Sequence, residues 1–130
     1  MENFNLKTGM SAEKTDVVTT SNTAKAYGSG SIDVYATPAM IGLMEGASLS
    51  CVDKVLPEGM STVGTKVEIK HLAATPLGMK VTAKAELVNI EGKKLLFNVQ
   101  AIDERGKIGE GTHERFIIDI EKFLQKTKEK

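Results

Sequence analysis

One stretch of this chain is built for a long helix, and small residues crowd it. Over residues 38–55, Gly42 and Gly46 fall four apart on one face, beside Ala39, Ala47, Ser48 and Ser50. Side chains of this size let a neighbouring sheet or helix come close. Met40, Ile41, Leu43, Met44, Cys51 and Val52 supply the apolar surface that must be buried. Thr37 reads as the N-cap and Pro38 as the first helical residue, where its missing N–H costs nothing. Leu56-Pro57-Glu58-Gly59 is the stop. A membrane-spanning reading fails, because Glu45 interrupts a segment that is too short.

The rest of the chain alternates. Residues 16–23 read as a first strand, with Val17 and Val18 followed by threonines. Residues 24–34 contain Gly28-Ser29-Gly30 and read as a loop. In residues 61–71, Val63, Thr65, Val67, Ile69 and His71 share one face, and Gly64, Lys66, Glu68 and Lys70 the other. Met79, Val81, Ala83, Ala85 and Leu87 alternate with polar residues. Glu91-Gly92 makes a hairpin turn, and Leu95, Phe97, Val99 and Ala101 line the next strand. Residues 108–120 form the last strand, with Gly109 and Gly111 permitting a bulge or close approach. The charged tail from residue 121 reads as a short C-terminal helix.

One strand, one long helix and four antiparallel strands predict an α+β fold in a single domain over residues 1–130. A five-stranded antiparallel sheet wraps around the central helix, which is the hotdog architecture. A sheet of this kind leaves a long edge strand open, and pairing two such sheets edge to edge covers it. A homodimer is therefore the economical assembly.

Glu45 is the anomaly of the helix. Its neighbours three and four positions away are Ile41, Gly42, Ser48 and Leu49. A carboxylate in such company must be paired, reach water or have a raised pKa. Carboxylates held that way are candidates for acid, base or nucleophile work; the bland alternative is a solvent-facing helix edge. His71 is predicted to point at the helix, with Glu45 as its partner; the bland alternative is a satisfied core histidine. Thr37 can cap the helix and still touch a substrate. His113 shares parity with Gly109, Gly111, Arg115 and Ile117, and reads as structural. Thr37 and Glu45 lie about 12 Å apart along a straight helix. Either they act on different parts of one site, or the site joins Thr37 of one protomer to Glu45 and His71 of the other, which is the favoured arrangement.

Seventeen basic and seventeen acidic residues cancel, which argues against a general nucleic-acid partner. Without Trp and with six aromatics, stacking platforms for bases are not expected either. Cys51 is the lone cysteine, so no intrachain disulfide or cysteine metal cluster forms, and it reads as a packing residue. The two histidines show no zinc-ligand spacing, and no glycine-rich phosphate loop is present. Residues 1–7 lack an apolar run. These absences predict a soluble, cytoplasmic protein with no membrane partner and no metal.

Val34-Tyr35-Ala36-Thr37, Gly42-Leu43-Met44-Glu45, Gly64-Thr65, His71-Leu72-Ala73-Ala74-Thr75-Pro76 and Gly111-Thr112-His113-Glu114-Arg115 follow one another in order over residues 34–125. Their content and spacing resemble the fluoroacetyl-CoA thioesterase family of hotdog proteins. The resemblance implies hydrolysis of an acyl-CoA thioester by a homodimer or a higher oligomer, with no cofactor beyond the CoA of the substrate. It implies a Thr/Glu/His catalytic set at Thr37, Glu45 and His71. It points to Gly64 as a backbone contact near the acyl group, and to Arg115 as a contact for the CoA portion. In that reading Glu45 attacks the carbonyl or activates water, His71 orients or protonates the reacting groups, and Thr37 hydrogen-bonds substrate or nucleophile. Backbone N–H groups would stabilise the oxyanion. Lys66, Lys70, Lys80 and Lys84 form basic strand faces that read as solvated, or as steering CoA phosphates.

The fluoroacetyl-specific member of the family carries phenylalanines in a lid just before the helix. Here residues 27–34 are shorter and contain no Phe, so an aromatic gate is missing or rebuilt from Tyr27 or Tyr35. A short- or medium-chain acyl-CoA thioesterase without strict fluoroacetyl specificity is expected. The alternatives are a non-catalytic acyl-CoA-binding module and another hotdog acyl-CoA enzyme such as a hydratase.

Overall fold

The alternation that is cleanest in the sequence builds the centre of the sheet. A computed structural model describes residues 4–130, and in it β3 (Lys80–Glu91) and β4 (Lys94–Ile102) form the middle hairpin. Ala83 pairs with Ala101, Ala85 with Val99 and Leu87 with Phe97, and all six are buried. Gly92 makes the turn with φ at 64°, a conformation glycine adopts without a steric cost. β1 (Ser11–Val17) lies beside β3, β5 (Lys107–Asp119) beside β4, and β2 (Met60–His71) beside β5. Every pairing is antiparallel, in the order β1-β3-β4-β5-β2.

α1 (Ala24–Tyr27) is one short turn, and α2 (Thr37–Asp53) fills the hollow of the sheet. α2 buries Ala39, Met40, Leu43, Met44, Ala47, Ser48, Cys51 and Val52. Met40 fits because Gly109 has no side chain; a Cβ there would stand 2.6 Å from the Met40 thioether. α3 (Ile120–Lys128) follows β5, capped by Asp119, whose carboxylate accepts from the Lys122 N–H. This is the hotdog architecture expected from the sequence. Among the described residues, no helix is long and apolar enough to cross a membrane.

Four local expectations are corrected. The first strand is Ser11–Val17, not residues 16–23. Ala12, Lys14 and Asp16 pair with Ala85, Ala83 and Val81, so they occupy the inner face, and two of the three are charged. Lys14 lies along α2 over Gly46, and Asp16 accepts the Tyr35 hydroxyl at 2.9 Å. Val17 is 47% exposed and Val18 leaves the strand to be buried. Thr19 and Asn22 then close a turn.

The helix starts one residue earlier than expected. Ala36 is the N-cap and makes no side-chain cap, while Thr37 is the first helical residue. The loop of residues 24–34 contains α1 and is stitched together: Ala24 N–H donates to Val34 O and Lys25 N–H to Ile32 O. Finally, β2 carries a bulge between Gly64 and Lys66. Thr62 and Gly64 pair with Ile117 and Arg115 on the inner face, and Val63 pairs with Phe116 on the outer one. Beyond the bulge, Val67, Ile69 and His71 are inward. Val63 and Thr65 therefore do not share the face of His71, and Gly64 does.

Candidate active site

His71 is the last residue of β2, and the chain that follows is tied down on both sides. Leu72 N–H donates to Ile108 O at 2.6 Å, and Tyr35 N–H donates to Thr75 O at 2.9 Å. The second bond binds the segment entering α2 to the segment leaving β2. It brings the first residue of α2 against the last residue of β2. Thr37 Oγ1 and His71 Nδ1 are 2.6 Å apart. Burial lowers the His71 pKa, against a weaker backbone interaction with Ala73 that raises it. A neutral imidazole accepts at Nδ1 from the Thr37 hydroxyl and carries its proton on Nε2. That Nε2 is enclosed and has no hydrogen-bond partner within the protomer. The pair opens onto a cleft of about 440 Å³, lined by small residues such as Ala24, Ser29, Ala73 and Ala74. Ala36 offers no side-chain acceptor, so the first turn of α2 has no side-chain cap.

Glu45 is elsewhere. It is half-buried on the open side of α2, two turns beyond Thr37, and is not the hydrogen-bond partner of His71. Its neighbours come from β2 and β5. A Cβ on Gly64 would stand 3.0 Å from Glu45 Oε2, 3.0 Å from His113 Cε1 and 3.5 Å from Arg115 Nη1. The three side chains converge on the space that glycine leaves free.

Arg115 is buried, with Nε donating to Thr62 Oγ1 at 2.7 Å and Nη2 to Thr62 O at 2.9 Å. Its third bond, from Nη1, goes to His113 Nε2 at 3.1 Å. Burial lowers the Arg115 pKa, while the Glu45 and Asp53 carboxylates raise it. The ion pairs of the described residues are all at the surface, so no carboxylate contacts this guanidinium directly.

The residues singled out from the sequence thus form two groups. Thr37 is with His71; Glu45 is with Gly64 and Arg115. Arg115, expected as a contact for the CoA portion, is enclosed behind Gly64 with its donors turned to Thr62 and His113. Thr62 was not singled out. Its signal is a polar inward residue opposite Ile117, hidden in the sequence by the bulge two residues later. Tyr35 is no gate, because it is 1% exposed and bonded to Asp16; burial and that carboxylate raise its pKa. Among the described residues, no group of three or more His, Cys, Asp or Glu side chains is placed to hold a metal ion.

Residues 18–121 match the family described as fluoroacetyl-CoA-specific thioesterase (FlK). The chain belongs to this family. It is 44% identical, over 75% of its length and 70% of the relative's, to a fluoroacetyl-CoA thioesterase of Streptantibioticus cattleyicolor. A crystal structure of the fluoroacetyl-CoA thioesterase FlK superposes with a TM-score of 0.90 at 37% identity, covering 96% of this chain and 97% of that one. A thioesterase superfamily member from Thermus thermophilus superposes with a TM-score of 0.85 at 33% identity, over 95% and 93% of the two chains. The protein is accordingly a thioester hydrolase built on the hotdog fold.

Proposed function

We propose that the protein hydrolyses acyl-CoA esters with Thr37 and His71 as the reacting pair, in a homodimer whose partner completes the site. The contact between Thr37 Oγ1 and His71 Nδ1, made in an open cleft, carries this reading. A hydroxyl within hydrogen-bond reach of a neutral imidazole is the geometry of an activated nucleophile. His71 takes the hydroxyl proton as Thr37 attacks the thioester carbonyl. The N–H groups of Thr37 and Ala39, at the uncapped start of α2, are the donors for the negative charge that develops on the oxygen. The C–S bond breaks, the proton passes to the CoA thiolate, and a threonyl ester remains. Water, deprotonated by His71, then releases the acid. The CoA complex known for a relative, with fluoroacetate, supports the substrate class.

Two features support the dimer. β2 is a sheet edge, and α2 keeps an uncovered strip with Gly42 exposed and Ile41, Glu45 and Leu49 half-buried. Glu45 of the same protomer lies about 12 Å beyond Thr37 along the helix, on the strip that a partner would cover. In such a dimer each site would join Thr37 and His71 of one protomer to Glu45 of the other. This differs from the sequence expectation, which grouped His71 with Glu45.

Thiol release from a panel of acyl-CoA esters tests the activity, and binding without release would refute it. Mass spectrometry of rapidly quenched enzyme should find the acyl group on Thr37. Labelled water entering Glu45 instead would make that carboxylate the nucleophile. Mixing Thr37→Ala and Glu45→Gln subunits should restore turnover, because the mixed dimer has one intact site. No Phe lines the cleft and the Tyr35 hydroxyl at its wall is held by Asp16, so the preference for fluoroacetyl-CoA over acetyl-CoA in kcat/KM should stay below about 10⁴-fold.

A further inference from the structure

His113 is fully buried yet touches neither Thr37 nor His71, and its hydrogen bonds fix its chemical state. Nδ1 is 2.8 Å from Lys66 O, and a carbonyl only accepts, so Nδ1 carries a proton. Nε2 faces Arg115 Nη1 at 3.1 Å, and a guanidinium only donates, so Nε2 is bare. The ring is therefore neutral and held in one tautomer.

Arg115 and Glu114 lie on its own strand, Lys66 O on β2, Glu45 on α2, and the Phe97 ring of β4 lies 6.4 Å away at a 31° tilt. Burial, joined by the Arg115 charge, lowers the His113 pKa and outweighs the Lys66 carbonyl and the Glu45 and Glu114 carboxylates, which raise it. Lys66 belongs to the bulge of β2, so the ring ties that bulge to the guanidinium.

We propose that His113 is a positioning residue: as a neutral Nδ1–H imidazole it anchors Arg115 to the β2 bulge and so fixes the guanidinium at the Gly64 opening, facing Glu45. Thr62 fixes Nε and Nη2 of Arg115, and His113 fixes the remaining arm. Without that third bond the guanidinium keeps its charge, but Nη1, the nitrogen nearest the opening, is a buried donor without an acceptor, and the rigid plane can tilt on its Thr62 contacts to relieve it. The effect on turnover rests on the proposed part of Glu45 in the thioesterase site; the effect on Arg115 does not.

Three measurements on the full-length protein decide it. Nitrogen-15 NMR at neutral pH should show His113 protonated at Nδ1 and bare at Nε2. An imidazolium or the opposite tautomer overturns the proposal. His113→Leu, which removes the acceptor, should lower kcat about tenfold with KM little changed, and His113→Gln, which restores an acceptor for Nη1, should recover most of the loss. Equal losses in both variants at equal folded fraction would make the residue a packing element only. In an Arg115→Met background, His113→Leu should have no further effect, and additive losses also overturn the proposal. Should the native protein hydrolyse no acyl-CoA, the thioesterase reading fails, and hydrogen exchange at the Arg115 Nη1 protons still decides. It should be slow in the native protein and fast in His113→Leu; no change refutes the anchoring.

Discussion

Along β3 and β4 the residues buried against α2 are Val81, Ala83, Ala85, Leu87, Leu95, Phe97, Val99 and Ala101. Along β5 and β2 the same face carries Ile108 and Ile117 but also Thr62, Gly64, His71, His113 and Arg115, and β2 buries only Thr62 along its length. The first half is held by apolar contact, which is non-directional and tolerant of small shifts. The second half places donors and acceptors in a low-dielectric space, where each must find its partner or cost free energy. It finds them through Thr62, Lys66 O and Thr37, and His71 Nε2 is the atom left over. One half of the sheet is thus apolar packing, and the other is a fixed set of polar side chains around the candidate site.

The sharpest break between the halves should come from His71→Ala. It should lower kcat by about 10²–10⁴-fold, the range for loss of a proton-transfer group, with the melting temperature little changed. Thiol-release kinetics alongside calorimetry measure both, and a folded variant with near-normal turnover would remove the pair from the mechanism. The converse is Leu87→Ala on the apolar half. Denaturant unfolding should show a loss of about 2–5 kcal/mol, while turnover per folded molecule holds. A Gly64→Ala change should fall between these. Its Cβ would press on Glu45 and on His113, so about 1–3 kcal/mol of stability should go together with part of the activity.

The smallest effect is one of pH. His71 and His113 both have lowered pKa values in the folded state, burial being the main cause. Below about pH 6.5 the unfolded chain takes up more protons at these positions, so acid weakens the fold until the folded values are also passed. The acid limb of kcat/KM should also have its midpoint below about 6.5, because His71 must be neutral to accept a proton. His113→Leu should flatten the acid dependence of stability, and a midpoint above the ordinary histidine value would contradict the burial of His71.

The same division explains what was legible in the sequence. β3, β4 and α2 announce themselves, because apolar periodicity is what a sequence displays most plainly. β1 was displaced because Lys14 and Asp16 sit where apolar residues would be sought. Thr37, Glu45 and His71 could be named from their types and the family resemblance, but their grouping could not. The pairing of Thr37 with His71 depends on the tie between Tyr35 N–H and Thr75 O, a long-range backbone bond with no local signature. The sequence reads Thr37 as a cap, whereas in the structure Ala36 takes the N-cap position and the Thr37 hydroxyl meets His71.

In a regular strand, residues an odd number apart point to opposite sides. Gly64 and His71 are seven positions apart and yet both face α2, because Thr65 is the extra residue of the bulge, with its hydroxyl donating to the Glu114 carboxylate at 2.7 Å. The strand therefore changes phase at a single position. Deleting Thr65 would turn the bulge into a regular ladder, with Gly64 and His71 six positions apart, still on one face, and Lys66 still opposite Glu114, whereas forcing the strand straight with Thr65 retained would turn Val67, Ile69 and His71 out to solvent. Seven positions with the extra residue and six without it are thus equivalent placements of glycine and histidine, and the bulge, not the count, decides which way the histidine points.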